Sequence, residues 1–247
     1  MKTFAAPTLG SRLRSWLLLA LTAGAVGNAY AKEPAKNVAP ANPSPQQQLQ
    51  GLGFSIAPKE GGKARTSLFG VAGEGYKFVY VFDRSASMGG SGRNSLRAVK
   101  ADLLQSLKNL DTVHQFQIIF YNEQPVIFNP TGTPGRLAFA TEQNKKRAIR
   151  FIDSITPAGG TDHEQALKLA IRLQPDVIFW LTDADEPKLT PAQLAKIRHM
   201  AAGIRINAIE FGPGPKPAGA SFLAELARQN GGGYAYVDVS RRVPSSH

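Results

Sequence analysis

After residue 75 the chain falls into a regular alternation of short apolar runs and longer amphipathic stretches. The apolar runs, at residues 76–82, 115–121, 126–128, 177–181, 205–211 and 234–238, are rich in Val, Ile, Phe and Tyr and have strand length. Between them, residues 95–110, 143–154, 163–173, 191–202 and 221–229 repeat apolar positions every three to four residues, which predicts helices. Thr190 followed by Pro191 is a cap with proline in the first turn, a helix start. Ser221 precedes Phe222, with Glu225 near a capping-box position.

Runs such as Val177-Ile178-Phe179-Trp180-Leu181 have no polar face, so both of their sides must be covered. The expectation is an α/β fold: a doubly wound, mostly parallel six-stranded sheet with helices on both faces. Tyr121-Asn122-Glu123-Gln124-Pro125 reads as a turn into one antiparallel edge strand around Val126. Upstream, Thr66 to Val71 is a candidate leading strand.

The first 75 residues change the picture of where the protein works. Lys2, Arg12 and Arg14 precede an apolar run from Trp16 to Val26, and Ala29-Tyr30-Ala31 fits a small-x-small cleavage site. Residues 1–31 therefore read as a secretory signal; the run is short for a bilayer span, which needs about 18 residues or more. An uncleaved membrane anchor is the alternative. The expected location is periplasmic or extracellular, with no membrane span after cleavage. Residues 32–63, rich in Ala, Pro, Gln, Lys and Gly, read as a disordered linker, although Leu52 to Ile56 could dock locally. Residues 64–75 form a leading segment, 76–240 the domain and 241–247 a flexible tail.

The chain has no cysteine, so no disulfide or thiolate-bound metal is available, and the core alone must stabilise the fold. Net charge is +11, and loss of the signal would lower it to +8. The basic residues are scattered, the densest group being Lys145-Lys146-Arg147, which reads as a solvated face rather than a nucleic-acid surface. A monomer is expected.

The candidate chemistry sits where apolar runs stop. Phe78-Val79-Tyr80-Val81-Phe82 ends in Asp83-Arg84-Ser85-Ala86-Ser87, placing one carboxylate and two hydroxyls on a turn. Pro157-Ala158-Gly159-Gly160-Thr161-Asp162 is a Gly-rich loop leading into a helix, and the run 177–181 ends in Thr182-Asp183. Carboxylate and hydroxyl oxygens are hard donors suited to Mg²⁺ or Ca²⁺. Asp83 and Asp183 roughly balance a divalent charge while Ser85, Ser87 and Thr161 add neutral oxygens. A metal held this way keeps affinity for one more anion. Each piece also has a plainer use: Asp before Ser makes Asx turns, and Thr161 or Asp162 caps the helix that follows.

In this order and these contexts, the three loops resemble the von Willebrand factor A (VWA) domain and its metal-ion-dependent adhesion site (MIDAS), over roughly residues 75–238. The resemblance implies that Ser85 and Ser87 coordinate directly and that the aspartates act mainly through water or as acceptors behind the first ligands. It also implies that Thr161 changes between direct and water-mediated contact. Ala86 and Ala184 stand where the family often has Gly. The function implied is non-catalytic adhesion: binding a protein ligand whose acidic side chain completes the coordination of Mg²⁺, with Mn²⁺ or Ca²⁺ as alternatives. Competing readings are a Mg²⁺-dependent phosphoryl-transfer enzyme of the haloacid dehalogenase type, or a metal-free VWA scaffold. The first would need a carboxylate two residues after Asp83, where this chain has Ser85. His114, His163 and His199 are isolated; His163 is expected to face solvent. Asp185-Glu186 reads as an acidic turn.

Overall fold

The structure, a computed structural model, describes residues 62–89, 95–133, 135–184, 187–219 and 221–242, all within the compact unit Ala57–His247. The expected signal, nearly all of the linker, most of the tail and the pair Asp185-Glu186 lie outside these residues.

The strands are β1 (Ala64–Leu68), β2 (Val71–Gly75), β3 (Lys77–Asp83), β4 (Gln115–Tyr121), β5 (Val126–Ile127), β6 (Ala138–Phe139), β7 (Val177–Thr182), β8 (Arg205–Gly212) and β9 (Tyr234–Asp238). The helices are α1 (Ser95–Lys108), α2 (Glu142–Ser154), α3 (His163–Arg172), α4 (Pro191–Met200) and α5 (Phe222–Gln229). The main sheet runs β5-β4-β3-β7-β8-β9, and its β4, β3, β7, β8 and β9 are parallel.

Every residue of β7 and all but the first of β3 are buried, as the absence of a polar face requires. Phe78, Tyr80 and Phe82 join a core with Leu96, Val99 and Leu103 of α1 and Ala148 and Ile152 of α2. Val79 and Val81 face Ala166 and Leu167 of α3, Leu194 and Ile197 of α4, and Leu223 and Leu226 of α5. Each fully buried Leu, Ile, Val or Phe contributes about 1.5–3 kcal/mol, so the two cores hold the sheet from both sides.

Two features depart from the sequence expectation. The sheet has seven strands, because Ala138–Phe139 also pairs with β4: β5 takes Ile119 and Phe120 of that edge, and β6 takes Gln115 and Phe116. A two-residue strand is too short to show alternation. The leading segment is a whole hairpin, not a single strand. Its turn residues Phe69 and Gly70 both have positive φ, 48° and 82°, as a two-residue turn matched to strand twist requires. The hairpin lies directly against the sheet: a Cβ on Gly73 would meet the Val177 side chain at 2.7 Å. The Asn207 amide donates to Ala72 O (3.2 Å).

The chain winds from β3 to β4 on one side and returns to place β7 on the other. The two directions part between the carboxyl ends of β3 and β7, where open α/β sheets form their binding crevice. Asp83 ends β3 and Thr182 ends β7.

Candidate metal centre

Asp83 is fully buried although it ends a strand. Its Oδ1 accepts from the Ser85 amide at 2.7 Å and its Oδ2 from the Thr182 hydroxyl at 2.6 Å. The first contact is the Asx turn that the sequence offered as the plainer alternative. The second is a cross-strand tie to β7. Together they aim the carboxylate at its own loop and fold that loop into a short 3₁₀ turn, Ala86–Gly89. The Ser85 and Ser87 hydroxyls then converge, with their oxygens 3.0 Å apart. Thr182 Oγ1 also accepts from the Ala184 amide at 3.1 Å, which turns the chain sharply after Asp183.

The Gly-rich loop is stitched to the first loop through its backbone. Ala86 N donates to Gly159 O (3.0 Å) and Ala158 N to Arg84 O (2.8 Å). Asn122, at the end of β4, holds it from the other side: its amide donates to Ala158 O at 2.6 Å, and Asp162 N donates to Asn122 O at 3.2 Å. Gly159 has φ +76°, and a Cβ there would meet the Asn122 amide at 2.8 Å, so both backbone freedom and the missing side chain are used. Asp162, not Thr161, caps α3, accepting from Gln165 N at 3.0 Å.

All five sequence candidates therefore gather at one pole of the sheet, on loops tied to one another. Asp83, Ser85 and Ser87 are in direct contact; Thr161 and Asp183 are carried there by their loops. Asn122 and Thr182, which hold those loops, were not among the candidates. Their roles depend on strand pairing, and only the Thr-Asp pair at the end of β7 hinted at one of them.

Beneath the pole lies a buried aromatic cluster. The Trp180 indole N–H donates to the Tyr121 hydroxyl at 2.8 Å, and that hydroxyl hydrogen-bonds His163 Nδ1 at 2.9 Å. Burial, then the charge of Asp83, pushes the Tyr121 hydroxyl well above the usual tyrosine range, so it stays protonated. His163 is 1% exposed and packs edge-on against Trp180. The expectation that it faces solvent is thus corrected: the first turn of α3 rolls this residue inward, where the large Trp180 and Phe222 rings enclose it.

The donor set suits a hard divalent cation. Among the described residues no three His, Cys, Asp or Glu side chains cluster as a metal site, so such an ion would rely on hydroxyls. Ligands at right angles around Mg²⁺, each at about 2.0–2.1 Å, stand about 2.9 Å apart; the Ser85 and Ser87 hydroxyls, hydrogen-bonded to each other at 3.0 Å, are spaced to span such an edge.

Residues 78–186 match the family model of the von Willebrand factor type A domain. This chain carries a VWA domain. A solved von Willebrand factor type A protein from Catenulispora acidiphila shares the fold, with TM-score 0.57 and 19% identity over 69% of this chain. Proximal thread matrix protein 1 from the mussel byssus, described with a zinc-occupied MIDAS motif, is 18% identical with TM-score 0.48 over 67%. This chain spans 42% of the length of either structure. No curated protein matches it at a significant level. VWA domains are in general non-catalytic adhesion or scaffold modules, and no helix among the described residues of this one is long and apolar enough to cross a membrane.

Proposed function

We propose that this VWA domain is an exported, non-catalytic adhesion module that binds a protein ligand through a divalent cation at a MIDAS. Ser85, Ser87 and Thr161 would supply neutral oxygens, and Asp83 and Asp183 the balancing charge. The ion, Mg²⁺ or the chemically similar Mn²⁺ or Ca²⁺, would supply an open coordination position for a partner's acidic side chain. The observation that carries this reading is the pair of serine hydroxyls, 3.0 Å apart, set by a buried aspartate. Asp83 has both oxygens committed to Ser85 and Thr182, which supports its acting behind the first ligands. An enzyme of the phosphoryl-transfer type is disfavoured, because Ser85 stands where that chemistry needs a second carboxylate.

Isothermal titration of Mg²⁺ and Mn²⁺ into the wild type, Asp83→Ala and Asp183→Ala tests the metal. Saturable binding is expected in the wild type and in neither variant. Binding that persists in both variants would place the ion elsewhere. A pull-down with and without EDTA tests the bridge, with any captured partner expected to be released by the chelator.

A further inference from the structure

Beside the candidate metal site, on the α5 side, lies a cavity of about 290 Å³. Asp183 and Ala184 form one lip. Its polar wall is Glu210, which sits opposite Thr182 in the β7–β8 register and so just beside Asp183. The Glu210 carboxylate is held by two hydroxyls: Ser221, the cap of α5, and Tyr234, whose O–H donates to it at 2.8 Å. Burial, then that hydrogen bond, pushes the Tyr234 hydroxyl above its ordinary range, so it remains a donor. Among the described residues Glu210 has no salt bridge. Lys188 and Lys216 line the same recess, walled by Phe222 and Pro217, yet among the described residues neither makes an ion pair with Glu210, and a carboxylate oriented by two donors suits a long cationic side chain.

The protein supplies a cation of its own at the rim. The Lys216 ammonium lies 4.5 Å from the centre of the Tyr234 ring, and Lys216 is otherwise exposed. An ammonium therefore already rests against this wall, held among the described residues by nothing stronger than an exposed cation–π contact.

We propose that this cavity receives a Lys or Arg side chain of the partner, with Glu210 as its counter-charge and Lys216 as an occupant the partner displaces. Resting on the adhesion reading above, this narrows the ligand to a segment carrying an acidic residue with a basic one about one or two positions away. That spacing follows from the adjacency of Asp183 and Glu210, since an extended chain advances about 3.3 Å per residue.

The test separates the pocket from the metal. The full chain, in EDTA, is titrated with N-acetyl-lysine amide and its uncharged norleucine counterpart, following backbone amide resonances of Ser221, Phe222 and Tyr234. Saturable shifts with the lysine compound alone are expected. Lys216→Ala should tighten its binding by about two- to fivefold, the worth of an exposed cation–π contact, and Glu210→Gln should weaken it by about tenfold. No shift at these residues, or equal shifts from norleucine amide, would overturn the pocket. If Glu210→Gln loses its fold, a Lys216→Ala variant that binds no better than wild type overturns it equally. Repeating the titration in Mg²⁺ with an Asp-Ala-Lys peptide isolates the other reading: lysine-amide binding without metal-dependent gain from the Asp would sink the MIDAS and leave the pocket standing.

Discussion

Asp83 commits both carboxylate oxygens to the protein itself, which makes Thr182 as important to the site as any direct donor. Replacing Thr182 by Val keeps the shape but removes a hydrogen bond to a buried carboxylate, a loss of about 1.5–3 kcal/mol. Urea denaturation should show that loss, and Mg²⁺ titration a weakened site; unchanged metal affinity would mean that Asp83 is positioned by Ser85 alone. Ala184 is the opposite case. It is held at φ 58° beside Asp183, a region costing an L-residue about 1–2 kcal/mol, where the family often has Gly. Ala184→Gly is expected to stabilise the fold by about 0.5–1 kcal/mol once the glycine's own entropy is counted, read as a raised Tm. That the loops carrying Asp83, Ser85, Ser87, Thr161 and Asp183 lie at the carboxyl end of the sheet was legible in the sequence, because each follows the abrupt end of an apolar run or a Gly-rich turn. Asn122, Thr182 and the inward turn of His163 were not, since each depends on which strands lie side by side.

The principal strands and helices follow from periodicity alone, and their caps are real: Thr190 accepts from Gln193 N, and the Gln193 side chain returns the bond. Thr190→Ala should cost about 1 kcal/mol by thermal melting. The Glu225 capping box does not form; that carboxylate turns instead to Arg228. The second half of the leading hairpin escaped notice because Val71-Ala72-Gly73-Glu74-Gly75 lacks the bulky residues of a typical strand. Its glycines are there for close approach, and Gly73→Ala is expected to cost about 1–3 kcal/mol by overpacking against Val177 and Phe179. Between elements, Glu164 of α3 holds Lys168 at 2.5 Å and reaches Gln193 of α4 at 2.8 Å. The Lys168 hydrogen bond, then that from Gln193, lowers its pKa. A depressed carboxylate stabilises the fold above its unfolded pKa, about 4.3, and the gain is lost as pH falls through the lower folded value. Solvent screens this exposed pair, so the effect should be small. Glu164→Gln should therefore lower Tm slightly at pH 7 and narrow the gap to wild type as pH falls below 4.

For the whole molecule, the hairpin is what closes the sheet face that α1 and α2 leave uncovered. Removing residues 62–75 should expose Val177 and Phe179, lowering stability and raising binding of an apolar dye, while the loops that carry Asp83, Ser85 and Gly159 keep the hydrogen bonds they make to one another. The hairpin's seat has a further consequence for how the protein is made. Ala72 is joined to Asn207, 135 residues later in the chain, and Tyr76 to Asp176, 100 residues later. A ribosome adding about 5–20 residues per second emits the hairpin on the order of ten seconds before its docking surface exists. The hairpin is thus synthesised early and seated late, and until then a segment of low intrinsic stability must wait unanchored. Any factor that engages the nascent chain upstream of residue 62 acts during that interval, when this part of the fold has nothing yet to rest on.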